Sequence, residues 1–437
     1  MLEKTLAEEM HPAGNGNGPQ QRAAVSTHSD STPQRCGCIS KVEVIRIRQP
    51  EFEQFPWWCT QPTDVLFDDG QRLREDSSVL FNASLDHRSD LVFHVIVRVT
   101  TDDGITGLGA IGLGSEAMAQ AVEGLLAPIV LGRNPFDVEL LWELMFRSTI
   151  NIGRKGLILE AMSGIDIALW DIMGKATGQP VFNLLGGRTR QQIRAYASYL
   201  YADNDLDRLA EMARGFIADG FTAVKMRLGY GPADGRVGMR KNVELVRTIR
   251  DAIGDDVDLM ADAYMGWTAQ YAIEMLNLFQ REELDLAWLE EPVLPDDLDG
   301  YARIRAATST AIAGGEHEFT RYGFKELITR GCVDYVQLDV NRVGGVTEAK
   351  KIFALAQAFS LPVVPHTQNF HNQHLIMAHA NAPLSEYLPP DYRDGDTFLS
   401  ELFIGDAVAE NGHITLADTP GLGVELNKEA IREFRIQ

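Results

Sequence analysis

Two periodicities divide the chain. In VEVIRIR (42–48) and LVFHVIVRVT (91–100), β-branched and apolar residues partly alternate, and DGITGLGAIG (103–112) adds a turn and a third short run. Alternation at period two predicts strands with one buried face. Three stretches at helical spacing follow, near 115–128, 136–148 and 155–176. The last, LILEAMSGIDIALWDIMGKATG, ends at Gly178 just before Pro180, a combination that stops a helix. Strands followed by helices predict an α+β domain over 39–185. Its first two strands are separated by WWCTQPTDVLFDDGQRLREDSSVLFNAS, too long for a simple connection and of the length that lids have.

After about residue 190 the rhythm becomes strand, helix, strand. Short apolar runs near YASYLY, TAVKMRL, VDLMADA, LAWLEEP, TAIAGGE, YVQLDV, LPVVPHT and LSEYL alternate with amphipathic segments such as MRKNVELVRTIRDAI. Eight such strands with crossover helices predict a β/α barrel over 186–395, in the α/β class. Little helical sequence is left for the last connection, so a seven-helix variant fits as well. Residues 396–437, with PGLGVEL, are expected to return to the first domain. Residues 1–38, rich in Gly, Pro, Gln, Ser and Thr, hold too little apolar surface to offset ordering and read as a flexible tail.

Composition narrows the partners. With 40 basic against 62 acidic residues the formal charge is -22, which repels nucleic acid and anionic lipid. No apolar run is long enough to span a membrane. The four cysteines, Cys36, Cys38, Cys59 and Cys332, show no framework spacing, which fits a reduced, cytoplasmic setting. A small anionic substrate is compatible with this acidity where a bound cation reverses the local field.

The barrel strands end in polar residues. Asp262 ends LMAD, Glu290 ends AWLE and Glu316 ends AIAGGE, at intervals of 28 and 26 residues, so each repeat unit delivers one carboxylate to the same rim. Any one alone reads as a solvated or salt-bridged acid; three at matched strand ends read as oxygen ligands for a hard divalent cation, Mg²⁺. Asp339 ends VQLD and His366 follows PVVP. A carboxylate beside an imidazole orients it and raises its basicity, giving a general base. Glu386 in PLSEYL lies one strand further. Lys225 and Arg227, two apart in AVKMRL, point to one side of their strand and could hold a substrate carboxylate and neutralise developing charge.

With these residues placed, the chain from about 41 to 430 resembles the enolase superfamily, and within it the mandelate racemase subgroup. The resemblance implies a modified (β/α)7β barrel with an α+β cap built from the N-terminal part and the C-terminal segment. It also implies Mg²⁺ on Asp262, Glu290 and Glu316, a His366–Asp339 dyad, and Glu386 as an electrophilic glutamate that donates a hydrogen bond in its protonated form. The subgroup's racemases carry Lys-x-Lys on the second strand, where the second lysine is a base. Here Arg227 holds that place, and arginine is a poor proton acceptor. GYGPADGRVGMRKN, GEHE, VVPHTQNFHNQH and PGLGVELN look like acid-sugar dehydratases of the rhamnonate dehydratase kind. The implied activity is dehydration of an aldonate such as L-rhamnonate or L-lyxonate to a 2-keto-3-deoxy acid, by a homo-oligomer. His317, His371 and Trp57 are further expected substrate contacts. The alternatives are a 2-hydroxy-acid racemase or epimerase, and a non-catalytic binding barrel.

Overall fold

In the computed structural model, residues 37–48, 58–66, 92–112, 114–390 and 401–436 are described. Three antiparallel strands, β1 (Ile39–Arg48), β2 (Val92–Thr101) and β3 (Thr106–Ile111), form the predicted first sheet. A helical run over 116–130 and helices α1 (Val138–Thr149) and α2 (Leu157–Thr177) follow. The alternation decides the packing: Val95, Val97 and Val99 join the main core, whereas Ile45, Ile47 and Ile96 turn to the opposite face. α2 can lie flat on β3 because both surfaces are glycine there. A Cβ on Gly109 would sit 1.9 Å from the Gly164 carbonyl oxygen, so any side chain would push helix and sheet apart.

The barrel runs through β4 (Ile193–Leu200), β5 (Ala223–Arg227), β6 (Asp258–Asp262), β7 (Trp288–Glu290), β8 (Ile312–Gly314), β9 (Tyr335–Val336) and β10 (Ser385–Tyr387). Neighbours from β4 to β9 pair in parallel, and β10 pairs back with β4. The remaining strand place, between β9 and β10, is taken by a single parallel bridge from Val336 to Val363. Crossovers are made by α3 (Leu206–Ala218), α4 (Gly235–Ile253), α5 (Ala269–Arg281), α6 (Leu298–Ala307), α7 (Thr320–Thr329), α8 (Val346–Ala358) and α9 (Phe370–Ala378). Among the described residues this is the seven-helix variant. Of the long loop, 58–66 is described and docks on the barrel, with the Trp58 indole donating to the Gly229 carbonyl at 3.0 Å. The expected tail lies outside the described residues as far as residue 36. No described helix is long and apolar enough to cross a membrane.

The C-terminal segment ties the two parts together. β11 (His413–Ile414) pairs antiparallel with β4, and after β12 (Glu425–Leu426) the helix α10 (Lys428–Phe434) reaches the first sheet, where the Ile436 N–H donates to Arg46. Asp171 of α2, fully buried, accepts from the backbone of Leu108 at 2.9 Å and of Leu422 at 2.8 Å, and pairs with Lys175 at 2.8 Å. One carboxylate thus holds sheet, helix and C-terminal segment.

His374 makes a second clamp. Its Nδ1 accepts from the Phe182 N–H at 3.1 Å, which leaves the Nε2 hydrogen to donate to the Leu422 carbonyl at 3.2 Å. That arrangement fits only the neutral ring, and desolvation holds its pKa near 4 instead of 6.5. A histidine depressed in this way contributes stability that is complete above 6.5 and drains away as pH falls toward 4. Between pH 7 and 5, His374→Gln should therefore lose about 1–2 kcal/mol less unfolding free energy than the parent. Urea unfolding at both pH values checks this; equal losses would remove His374 from the account.

Candidate active site

The barrel interior is layered. Tyr196, Ala223, Met260, Trp288, Ala313, Val364 and Leu384 form one buried apolar cluster, with Tyr335 packed against it. Two residues further along the same strands, where side chains return to the same face, stand Ser198, Lys225, Asp262, Glu290, Gln337, His366 and Glu386. The apolar layer closes the barrel beneath them, so the polar layer sits in a medium where charges interact strongly.

Asp262 and Glu290 are direct partners in the β6–β7 register. Glu316 lies two residues beyond β8, after Gly315 at φ +123° turns the chain inward. All three are at most 2% exposed. Lys225 is wholly buried, its Nζ 2.6 Å from Glu290, 2.9 Å from Glu386 and 3.8 Å from Asp262. Arg227 reaches Asp262 at 2.7 Å, so the cationic pair does share one side. Arg342 bridges Glu316 at 3.4 Å and Asp339 at 3.6 Å.

His366 donates from Nδ1 to Asp339 Oδ2 at 2.8 Å and turns Nε2 toward Glu316 Oε1 at 3.4 Å. The other Asp339 oxygen accepts the Asn341 N–H at 2.8 Å and starts the short helix Val340–Val343. Burial works against the imidazolium, but Glu316 and Asp339 outweigh it and lift the pKa to about 9. Glu386 accepts from Ser198 at 2.6 Å, Lys225 at 2.9 Å and the Thr367 N–H at 2.5 Å. Burial raises its pKa, yet Lys225 and His366 pull it well below the usual carboxylate range. Three donors converge on Glu386, which favours an ionised acceptor over the protonated donor expected of it.

Several members of the site were not anticipated. Gln337 donates to Glu290 at 2.7 Å and the Trp288 indole does so at 3.1 Å. Glu291, turned by its positive φ of 38°, meets His317 Nδ1 at 2.8 Å. Cys59, from the 58–66 segment, lies close enough for the charges of Arg227 and Asp262 to act on its thiol, although burial is the main reason it is pushed up to about 12. Of the expected substrate contacts, His317 does join the rim. His371 does not: its ring is 0% exposed, both nitrogens lack partners, and desolvation lowers its pKa to about 3. A ring so enclosed has no surface to offer a substrate. Trp57 lies outside the described residues.

Six carboxylates (Asp262, Glu290, Glu291, Glu316, Asp339 and Glu386) thus face three permanent cations, Lys225, Arg227 and Arg342. The deficit is visible: desolvation and neighbouring acids push Glu290 up to about 7 despite Lys225, and Glu316 Oε2 is buried without a partner. A divalent cation fits this donor set. Among the described residues, Glu291, Glu316 and His317 also bring ligand atoms within 4.8 Å of one another, a different trio. Its closeness is the His317–Glu291 hydrogen bond, which a metal would have to break. Asp262, Glu290 and Glu316 remain the set expected from the strand ends.

Family models match both parts of the chain: the mandelate racemase / muconate lactonizing enzyme N-terminal domain over 83–186 and the enolase C-terminal domain-like family over 208–430. The chain belongs to the enolase superfamily. An L-rhamnonate dehydratase of Saccharopolyspora erythraea is 39% identical over 339 residues, 77% of this chain and 83% of that protein. Among solved structures of superfamily enzymes, the rhamnonate dehydratase of Gibberella zeae complexed with Mg superposes with a TM-score of 0.79 at 30% identity, covering 94% of this chain and 98% of that one. The 3,6-anhydro-D-galactonate cycloisomerase of Zobellia galactanivorans gives 0.76 at 31%, over 92% and 100%. The fold expectation, a capped barrel of this superfamily, is met.

A cation bound at Glu316 would remove much of the field that keeps His366 protonated. At pH 8, Mg²⁺ binding should therefore release close to one proton per chain, because the imidazolium pKa falls from about 9 when the Glu316 charge is neutralised. Calorimetry in buffers of different ionisation enthalpy reads this directly. Uptake of protons, or none exchanged, would contradict the assignment.

Proposed function

We propose that this protein is a magnesium-dependent acid-sugar dehydratase that converts an aldonate, such as L-rhamnonate or L-lyxonate, to the 2-keto-3-deoxy acid. It is taken to work as a cytoplasmic homo-oligomer. The observation that carries the reaction type is a single competent base. His366 is held by Asp339 at 2.8 Å, while the residue two places after Lys225 is an arginine bound to Asp262 at 2.7 Å. A racemase needs a second base on the opposite face, and a guanidinium paired with a buried carboxylate will not accept a proton.

Asp262, Glu290 and Glu316 would hold Mg²⁺, which supplies Lewis-acid stabilisation of negative charge on the substrate carboxylate and its neighbouring oxygen. His366 Nε2 takes the C2 proton, and Asp339 fixes the tautomer that leaves Nε2 free to do so. The resulting imidazolium gives its proton to the departing 3-hydroxyl, so water leaves and the enol tautomerises to the ketone. Lys225 acts through Glu290 and Glu386, which it holds in place. Arg227 and His317, on the rim, meet the substrate.

The test is incubation with Mg²⁺ and a panel of acid sugars that includes L-rhamnonate and L-lyxonate, run in D₂O. Formation of a 2-keto acid is the expected result. Deuterium at C2 of recovered substrate without keto acid would favour epimerisation, and absence of Mg²⁺ binding would leave a binding barrel.

A further inference from the structure

The outer face of the first sheet is only partly covered. α10 and the C-terminal segment pack on Ile45, Ile47 and Ile96 through Leu402 and Ala430, but beside this contact a cavity of about 660 Å³ stays open. That is the size of a site for a small organic molecule. Its floor is apolar: Ile45 and Leu108 are 2% exposed, and Leu426 and Ile431 complete it. Its wall is basic, with five cations, Arg98, Lys175, Lys428, Arg432 and Arg435, against Glu425 alone. In a chain of net charge -22 such a cluster is conspicuous.

Two of the five are engaged. Arg98 pairs with Glu43 at 2.9 Å, and Lys175 with Asp171 at 2.8 Å and Glu425 at 3.5 Å. Lys428, Arg432 and Arg435 have no ion-pair partner among the described residues. Lys428 and Arg432, four apart, share one face of α10 with Ile431, Arg435 follows the helix in extended backbone bridged to Ile47, and like charges at i and i+4 repel. Nothing in the packing requires that face to be cationic, and an anion in the cavity would relieve the repulsion while its body covered the floor.

We propose that this cavity binds a small organic anion, a carboxylate or phosphate monoester carrying an apolar body. The site is separate from the barrel rim and independent of the reaction assigned to it.

The test is titration of the full-length protein, with and without Mg²⁺, by hexyl phosphate, hexanoate and inorganic phosphate at low salt. At least one hexyl probe should saturate a single site per chain, bind at least tenfold more tightly than inorganic phosphate and raise the thermal midpoint. Raising the salt should weaken binding. The tighter of the two hexyl probes identifies the headgroup. The double variant K428E/R432E should bind at least tenfold more weakly and lose the midpoint shift. Should that variant fail to fold by circular dichroism, Arg435→Ala gives a smaller loss in the same direction. Binding unchanged in these variants would place the anion at the barrel rim, and no saturable binding would leave the cavity filled by water; either result overturns the proposal.

Discussion

Replacing His366 by asparagine is expected to lower dehydration by roughly 10²–10⁴-fold, the usual worth of a general base, with Mg²⁺ affinity changed far less. Asparagine can still donate toward Asp339 but offers nothing that accepts a proton from C2. Because His366 is a base and not a ligand in this reading, titration with Mg²⁺ separates lost chemistry from a lost site. The same variant should lose exchange of the C2 hydrogen with D₂O, since abstraction precedes elimination. Asp339→Asn makes a useful companion. Its remaining oxygen can keep the hydrogen bond from Asn341 that starts the helix at Val340, so the fold should hold. Removing the Asp339 charge lowers the imidazolium pKa, and the acid limb of kcat/KM should move to lower pH as the rate falls. A His366→Asn enzyme that keeps more than a tenth of its activity would remove His366 as the base.

The site was legible where strand periodicity and repeat spacing both applied. Lys225 and Arg227, Asp262 and Glu290 follow from a period of two along β5 to β7 and a repeat of one strand and one helix. Asp339 follows Glu316 by 23 residues, fewer than the intervals of 28 and 26 before it, and this has a structural reason: β9 is only Tyr335–Val336, and Asp339 already starts an inserted short helix. Three things were hidden. Gln337 lies in the polar layer, but a neutral amide in an apolar run carries no signal of chemistry. Glu291 would face away from the site in a regular strand, and it reaches His317 only through a left-handed backbone turn. The charge on Glu386 depends on Lys225 and Ser198, 161 and 188 residues earlier, which no local pattern encodes. His371 misled because a histidine near the seventh strand place looks functional until its burial is seen.

Lys225 should be the most costly single cation to remove. Lys225→Met keeps the length and the apolar stem but withdraws the charge that Glu290 and Glu386 share at 2.6 and 2.9 Å. Breaking a buried ion pair from one side usually costs about 3–5 kcal/mol, because the partner is left charged and unpaired. Here two carboxylates are stranded, within a group already in excess. Glu290, pushed up to about 7 even with Lys225 present, should then protonate in the metal-free protein and soften the loss. Mg²⁺ competes for the same oxygens, so the variant should regain part of its stability on loading. The gain follows mass action, about 2.7 kcal/mol at a hundredfold excess over Kd. Denaturant unfolding with and without Mg²⁺ measures both effects. A variant as stable as the parent in EDTA would show that the pairing of Lys225 with Glu290 and Glu386 is not what holds this layer together. A large loss that Mg²⁺ fails to reduce would instead argue that the metal ligands do not include Glu290. Either way the experiment separates the two jobs of these carboxylates, structural pairing with Lys225 and ligation of a cation, which their strand-end positions alone cannot distinguish.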